Sequence, residues 1–139
     1  MRYLNEIIVH HSLTKDSGSV SWRAIRRFHI NDNGWPDIGY HFGIELVSDV
    51  FDSGYEILMG RSITLPGAHT KGHNTTTVGI CCVGNFDLVP PSKEQLGKLK
   101  FLINVLKFIF PTIDKVSFHR DYASKSCPGN LFTKEMLDA

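Results

Sequence analysis

The feature that most constrains the fold is the continuous apolar run VGICCVGNF, residues 78–86. A short apolar run without polar alternation is typical of a strand that is buried on both faces of a sheet. Such a strand needs a further layer of secondary structure on each side, and helices supply those layers in α/β proteins. The run therefore predicts the central strand of a layered α/β sheet.

Strands and helices are predicted to alternate on both sides of that run. Short apolar segments bounded by turn residues predict four more strands: NEIIVHH (5–11), YHFGIELV (40–47), YEILMG (55–60) and DKVSF (114–118). The segment SDVFDSG (48–54) reads as the turn of a hairpin between the second and third of these strands. We expect an α/β fold in which residues 1–139 form one domain with a central mixed β-sheet flanked by helices.

Three helices are predicted. The clearest runs from Ser92 to about Phe110, where Ser92 and Gln95 have the spacing of a capping box and Pro111 stops the helix. Its predicted apolar face comprises Leu96, Leu99, Ile103, Leu106 and Phe110. A second helix covers residues 21–31 with Ser19 or Ser21 as its cap, and a short C-terminal helix begins at about Leu131.

Composition narrows the class of protein. With 42% hydrophobic residues, 21% charged residues and a formal net charge of +1, nothing indicates disorder, a bilayer-spanning segment or the basic stripe of a nucleic-acid binder. The N-terminal apolar run has only three residues, which is too short for a signal peptide. The cysteines are three in number, so a disulfide framework is not expected. We expect a protein that is made in the cytoplasm.

Two histidines end predicted strands. His10 and His119 each lie at the carboxyl end of a short apolar strand, so parallel neighbouring strands would bring both imidazoles to one sheet edge. With Cys127 they would fill three corners of a tetrahedral zinc and leave the fourth for water. Two alternatives stay open: Cys127 is a small buried hydrophobe, or it is a nucleophile paired with one of the histidines.

Other polar side chains depend on that site for their meaning. Lys125 lies two residues before Cys127 and is either a solvated lysine or a cation that stabilises an oxyanion. Tyr40 is a half-buried packing residue unless its strand adjoins that of His10. His11 and His41 are predicted to point to the faces opposite His10 and Tyr40, although the pattern does not decide whether His10 or His11 faces the metal.

The loop TLPGAHTKGHNTTT, residues 64–77, carries further polar side chains beside the central strand. His69, His73 and Asn74 in this loop could bind a ligand, ligate a metal or simply decorate the surface. Long loops beside buried strands are a frequent location of function.

Four segments carry a resemblance to a known family. They are IIVHHS (7–12), IRRFHINDNGWPDIGYHFGI (25–44), GAHTKGHNTTTVGICCVGNFD (67–87) and FHRDYASKSCPG (118–129). In these segments and in their order, the chain resembles the zinc-dependent N-acetylmuramoyl-L-alanine amidases, most closely the short phage lysozymes of amidase type. Animal peptidoglycan-recognition proteins share the fold.

The resemblance implies a set of roles. It implies a Zn²⁺ held by His10, His119 and Cys127, with Tyr40 and Lys125 as the catalytic side chains. The implied reaction is hydrolysis of the amide between the lactyl group of N-acetylmuramic acid and L-alanine in peptidoglycan. The matching loop implies that His69 and Asn74 line the substrate groove. Family members without the cysteine tend to bind the cell wall without cutting it, so Cys127 favours an enzyme.

The resemblance also frames the expected partners and location. We expect a phage-type endolysin, probable only as a monomer, that binds peptidoglycan but no nucleic acid or membrane and acts on the wall after release. The chain is expected to carry no separate wall-binding domain. Two competing functions are a non-catalytic peptidoglycan-binding module and a regulator that contacts a protein such as a phage RNA polymerase, for which no motif is present.

Overall fold

The computed structural model describes residues 2–13, 21–47 and 54–138. Its strands are β1 (Glu6–His11), β2 (Phe42–Leu46), β3 (Tyr55–Met59), β4 (Thr77–Cys82) and β5 (Lys115–Phe118), and its α-helices are α1 (Trp22–Asn31) and α2 (Lys93–Ile109). Across these three ranges, no helix combines the length and the apolar character needed to cross a membrane.

The five strands form one mixed sheet in the order β3-β2-β4-β1-β5. Strand β4 is central and pairs in parallel with both β1 and β2, β5 pairs in parallel with β1, and β3 is the antiparallel edge strand. All six residues of β4 are buried, which confirms the prediction of a central strand. The strand ends at Cys82, four residues earlier than predicted, because the chain bends at Gly84, whose φ is 152°.

Helix α2 covers one face of the sheet. The main core lies between them and includes Ile7, Val9, Ile44, Val78, Ile80, Cys82, Leu99, Leu102, Ile103, Leu106 and Phe118. Cys81 belongs to a second cluster on the other face, with Trp22, Ile38 and Val83. The adjacent cysteines therefore point to opposite faces, as predicted, and all three cysteines are free.

Helix α1 lies over the face opposite α2 and is anchored by its first residue. The Trp22 ring packs so closely on Gly43 that a Cβ added there would lie 2.4 Å from the ring. The predicted cap is confirmed at Ser21, whose side chain accepts a hydrogen bond from the Ala24 N–H at 3.2 Å. The alternative cap, Ser19, lies outside the described residues.

The predicted capping box of α2 is only half formed. The Ser92 hydroxyl accepts from the Gln95 N–H at 3.1 Å, but the Gln95 amide turns into the core. It donates to the carbonyls of Ile44 and Val83 at 3.0 and 3.1 Å. These two carbonyls need a donor where β2 and β4 stop pairing, and this need outweighs the local cap.

Two predicted element bounds also change. The predicted C-terminal helix from about Leu131 is a 3₁₀ turn over Lys134–Leu137, because Phe132 is fully buried against Phe118 and holds the preceding chain in a non-helical path. The hairpin of β2 and β3 is confirmed as antiparallel, and most of its predicted turn lies outside the described residues.

Candidate metal centre and active site

His10 and His119 meet at the carboxyl edge of the sheet. Strands β1 and β5 are parallel neighbours, with Val9 in register with Phe118. His10 is the next residue of β1 and His119 is the first residue after β5. Their ring centroids are 4.6 Å apart, which confirms the expected convergence of the two imidazoles.

Cys127 completes a group of three potential metal ligands. Its Sγ lies 3.7 Å from Nδ1 of His10, and one ligand atom from each of His10, His119 and Cys127 lies within 4.8 Å of the others. His10 is 1% exposed and Cys127 is 9% exposed, while His119 is half-buried. The chain thus brings two imidazoles and one thiol together in a set that could hold a metal ion.

His11 supports this group without joining it. Its ring stacks on Phe86 and its Nδ1 accepts from the Phe86 N–H at 3.1 Å, so the side chain faces away from His10 as predicted. The backbone N–H of His11 donates to Cys127 Sγ at 3.4 Å. The two adjacent histidines therefore divide between site and core.

The state of the thiol bears on the cysteine-nucleophile alternative. Burial raises the pKa of the Cys127 thiol to about 11, although the His11 N–H works in the opposite direction. Near neutral pH this sulfur is not the activated thiolate that a cysteine nucleophile requires. This finding disfavours the alternative in which Cys127 attacks the substrate.

Tyr40 reaches the site from across the sheet. It lies two residues before β2, and β4 separates that strand from β1, so the expected adjacency of the strands of Tyr40 and His10 is wrong. The ring nevertheless lies 5.1 Å from the His10 ring, because the side chain spans β4 and hydrogen-bonds Cys81. Burial raises the pKa of the Tyr40 phenol well above its ordinary value, so the hydroxyl keeps its proton.

Lys125 lies at the mouth of the site. Its side chain is exposed and lines two cavities that both include His119. One cavity, of about 460 Å³, also includes Tyr40 and Cys127. The other, of about 580 Å³, extends along the loop between β3 and β4 and is lined by residues such as Trp35, Thr70, Lys71 and Tyr122.

His69 and Asn74 line the second cavity and also shape its wall. The Asn74 side-chain oxygen accepts from the backbone N–H groups of His69 and Thr70 at 3.0 and 2.9 Å. His69 is buried, with Nδ1 3.0 Å from Nε2 of His10. Burial lowers the pKa of both imidazoles well below the ordinary value, so both rings are neutral.

Two residues that organise the site were missed by sequence analysis. The Arg120 guanidinium donates to the carbonyls of Gly129 and Phe132 at 2.8 and 2.7 Å, and this ties down the segment that carries Cys127. Asp87 accepts from the Ser126 hydroxyl at 2.9 Å and the Asn130 N–H at 2.8 Å. Neither residue has a local signal, because these partners become neighbours only in the fold.

Comparisons with known proteins define the class to which this fold and site belong. The family profile of N-acetylmuramoyl-L-alanine amidases matches residues 2–130, and the chain belongs to this family. It is an amidase that hydrolyses the bond between N-acetylmuramic acid and L-alanine in peptidoglycan.

Curated relatives place the chain near the phage enzymes of the family. It is 36% identical over 129 residues to the endolysin of Klebsiella phage KP32, covering 89% of this chain and 80% of the relative. It is 34% identical over 130 residues to the endolysin of Escherichia phage T7, covering 88% of this chain and 78% of the relative. These similarities support an endolysin function.

Solved structures share the fold over nearly the whole chain. The N-acetylmuramoyl-L-alanine amidase LysC from Clostridium intestinale superposes with a TM-score of 0.84 at 29% identity, covering 98% of this chain and 83% of LysC. Drosophila PGRP-LB, in complex with tracheal cytotoxin, superposes with a TM-score of 0.81 at 28% identity, covering 99% of this chain and 82% of that protein. The predicted relation to peptidoglycan-recognition proteins is confirmed.

Proposed function

We propose that the amidase is a zinc enzyme, with His10, His119 and Cys127 as its three protein ligands. The observation that carries this proposal is the grouping of their ligand atoms within 4.8 Å at the carboxyl edge of the sheet. Three protein ligands leave one position for water or substrate, which is typical of catalytic rather than structural zinc.

The donor set fits this metal. With usual Zn–N and Zn–S bond lengths, tetrahedral zinc separates its donor atoms by roughly 3.3–3.6 Å, and Nδ1 of His10 lies 3.7 Å from Sγ of Cys127. The His11 N–H that points at Sγ would stabilise a thiolate ligand. When bound, zinc supplies the Lewis acidity that activates water and polarises a carbonyl.

Lys125 and Tyr40 act on the charge and protons of the reaction. The Lys125 ammonium is placed at the mouth beside His119, where it would stabilise negative charge that develops on the carbonyl oxygen. The neutral Tyr40 phenol lies beside His10 and can donate a hydrogen bond to water or substrate. Either side chain could transfer the proton that the leaving amine of L-alanine requires.

The larger cavity is the proposed binding groove for the muramyl peptide. PGRP-LB, which shares this fold, is known in complex with tracheal cytotoxin. In the present chain, His69 and Asn74 line the cavity that extends from His119 and Lys125. We assign these residues to substrate binding, with the enzyme acting as an endolysin on the wall after release. A contact with a phage RNA polymerase and a monomeric state stay predictions.

Metal analysis tests the proposed site. The wild type loaded with zinc and desalted should retain about one zinc per chain, and His119→Ala should retain almost none. His73→Ala is the matched control, because His73 lies in the neighbouring loop and stacks on Tyr122 instead of contacting the ligand group. Zinc retained at full occupancy by His119→Ala would contradict the proposal.

A further inference from the structure

A chain of hydrogen bonds begins on the buried side of His10 and ends on the backbone. Nε2 of His10 lies 3.0 Å from Nδ1 of His69. Nε2 of His69 lies 3.3 Å from the hydroxyl of Thr77, and that hydroxyl donates to the carbonyl of His73 at 2.7 Å. His10, His69 and Thr77 are all buried, so water does not substitute freely for these partners.

The backbone carbonyl at the far end sets the direction of every bond in the chain. A carbonyl only accepts, so the single hydroxyl proton of Thr77 is used in its short bond to His73. The Thr77 oxygen must then accept from His69, which places the His69 proton on Nε2. Nδ1 of His69 is left as an acceptor, so the proton of the neutral His10 ring lies on Nε2.

That assignment leaves Nδ1 of His10 without a proton. Nδ1 is the atom that lies 3.7 Å from Sγ of Cys127. A neutral imidazole binds a metal through its unprotonated nitrogen, and ligating histidines usually donate their other N–H to a fixed acceptor. The direction of the chain and the geometry of the ligand group therefore agree.

Close packing also holds the His69 ring in position. A Cβ added at Gly79 would lie 2.5 Å from Cδ2 of His69, and one added at Gly67 would lie 2.7 Å from the same atom. The ring is thus packed against two glycine backbones that no other residue type would allow. The Thr70 hydroxyl is a further neighbour, 3.0 Å from Nδ1 of His69 and 3.3 Å from Nε2 of His10.

We infer that His69 and Thr77 are positioning residues that hold His10 in the Nε2–H tautomer, so that Nδ1 is its metal-binding atom. The tautomer follows from the protein alone, and only its consequence for zinc rests on the proposed function. His69 acts through His10 in this role, in addition to lining the cavity.

The tautomer is measurable in the metal-free protein by long-range ¹H–¹⁵N correlation of the His10 ring. The wild type should show a protonated Nε2 and an unprotonated Nδ1. Thr77→Val removes the hydroxyl at nearly constant volume and should give a mixture of both tautomers. Thr75→Val, at an exposed position of the same loop, is the matched control and should match the wild type. A predominantly Nδ1–H tautomer in the wild type would overturn the inference.

Zinc affinity, measured by competition with a chelator, tests the consequence for the metal. His69→Phe keeps a ring and removes both nitrogens, and it should weaken zinc binding about 10- to 100-fold. His69→Asn places an amide oxygen near the position of Nδ1 and should recover part of that loss. Affinity of His69→Phe within twofold of the wild type would overturn the role of His69.

The two assays separate failure of this inference from failure of the proposed function. If the wild type binds no zinc, the zinc proposal fails, and the tautomer of the metal-free protein still decides whether the hydrogen-bond chain has the stated direction. If zinc binds but coordinates Nε2 of His10, the proposed function stands and the inference is wrong.

Discussion

Nδ1 of His10 lies 3.7 Å from Sγ of Cys127, although 117 positions separate the two residues in sequence. The contact depends on the parallel pairing of β1 with β5 and on the turn that follows β5. In that turn, the Arg120 N–H donates to the carbonyl of Cys127 at 2.8 Å. The ligand group is therefore a product of the complete fold and is expected to be lost on unfolding.

Replacement of Lys125 should separate catalysis from metal binding. Lys125→Ala removes an exposed ammonium at the mouth of the site and should lower kcat about 10²- to 10³-fold, because charge on the carbonyl oxygen loses a stabilising partner. Zinc content should stay at the wild-type value. Lys93→Ala, at an exposed position of α2, should leave both quantities unchanged, and a Lys125→Ala enzyme of normal kcat would refute the assignment.

Replacement of Tyr40 should reveal the contribution of its hydroxyl. Tyr40→Phe keeps the ring that packs beside His10 and removes the proton donor, so we expect a loss in kcat of about 10²-fold or more. The measurement is steady-state kinetics at matched zinc occupancy. Tyr3→Phe alters a tyrosine that is 61% exposed and serves as the control. Equal kcat for the wild type and Tyr40→Phe would exclude a catalytic phenol.

His41 should make folding stability sensitive to acid. Its Nδ1 accepts from the Gly79 N–H at 3.0 Å, so its proton lies on Nε2, which donates to the Leu65 carbonyl at 2.9 Å. Burial, aided by the charge of Arg2, lowers the pKa of His41 from 6.5 to about 4. The unfolded chain thus binds a proton that the folded chain refuses, and stability falls as the pH drops from about 6.5 to about 4.

Urea unfolding of the metal-free protein tests the role of His41. By linkage, this residue accounts for a loss of roughly 3 kcal/mol across that pH window. His41→Gln does not titrate, so its free energy of unfolding should fall less steeply between pH values of about 7 and 4. Other buried histidines contribute equally to both proteins and cancel in the comparison. Identical slopes would show that His41 is not responsible.

Gln95 should be a strong determinant of stability. Gln95→Leu leaves the buried carbonyls of Ile44 and Val83 without the amide that now donates to both. An unsatisfied buried group costs about 1–3 kcal/mol, so we expect a loss of roughly 2–4 kcal/mol in the free energy of unfolding. Glu94→Gln, at the exposed neighbouring position, should change stability by less than about 0.5 kcal/mol. A wild-type midpoint for Gln95→Leu would contradict this role.

Sequence reasoning identified features that depend on local pattern. The apolar run at β4 and the histidines that follow short strands were sufficient to predict a mixed sheet with His10 and His119 at one edge. The pairing order was not accessible from local pattern, and for this reason Tyr40 was expected to require a strand beside that of His10. The structure instead places β4 between them.

Long-range polar contacts were also beyond the sequence pattern. Gln95 has the correct spacing for a capping box, but two carbonyls from distant strands recruit its amide. Arg120 and Asp87 organise the Cys127 segment through partners that come together only in the folded chain. The direction of the His69–Thr77 hydrogen bonds likewise depends on a backbone carbonyl that the sequence does not place.

The most direct test of a zinc amidase is release of free L-alanine amino groups from purified peptidoglycan. The zinc-loaded wild type should release these groups steadily, while the metal-stripped wild type and Cys127→Ala should release almost none. Cosedimentation with peptidoglycan should be measured on the same samples. A zinc-loaded wild type that cosediments with peptidoglycan but releases no amino groups would contradict the account and would indicate a binding module.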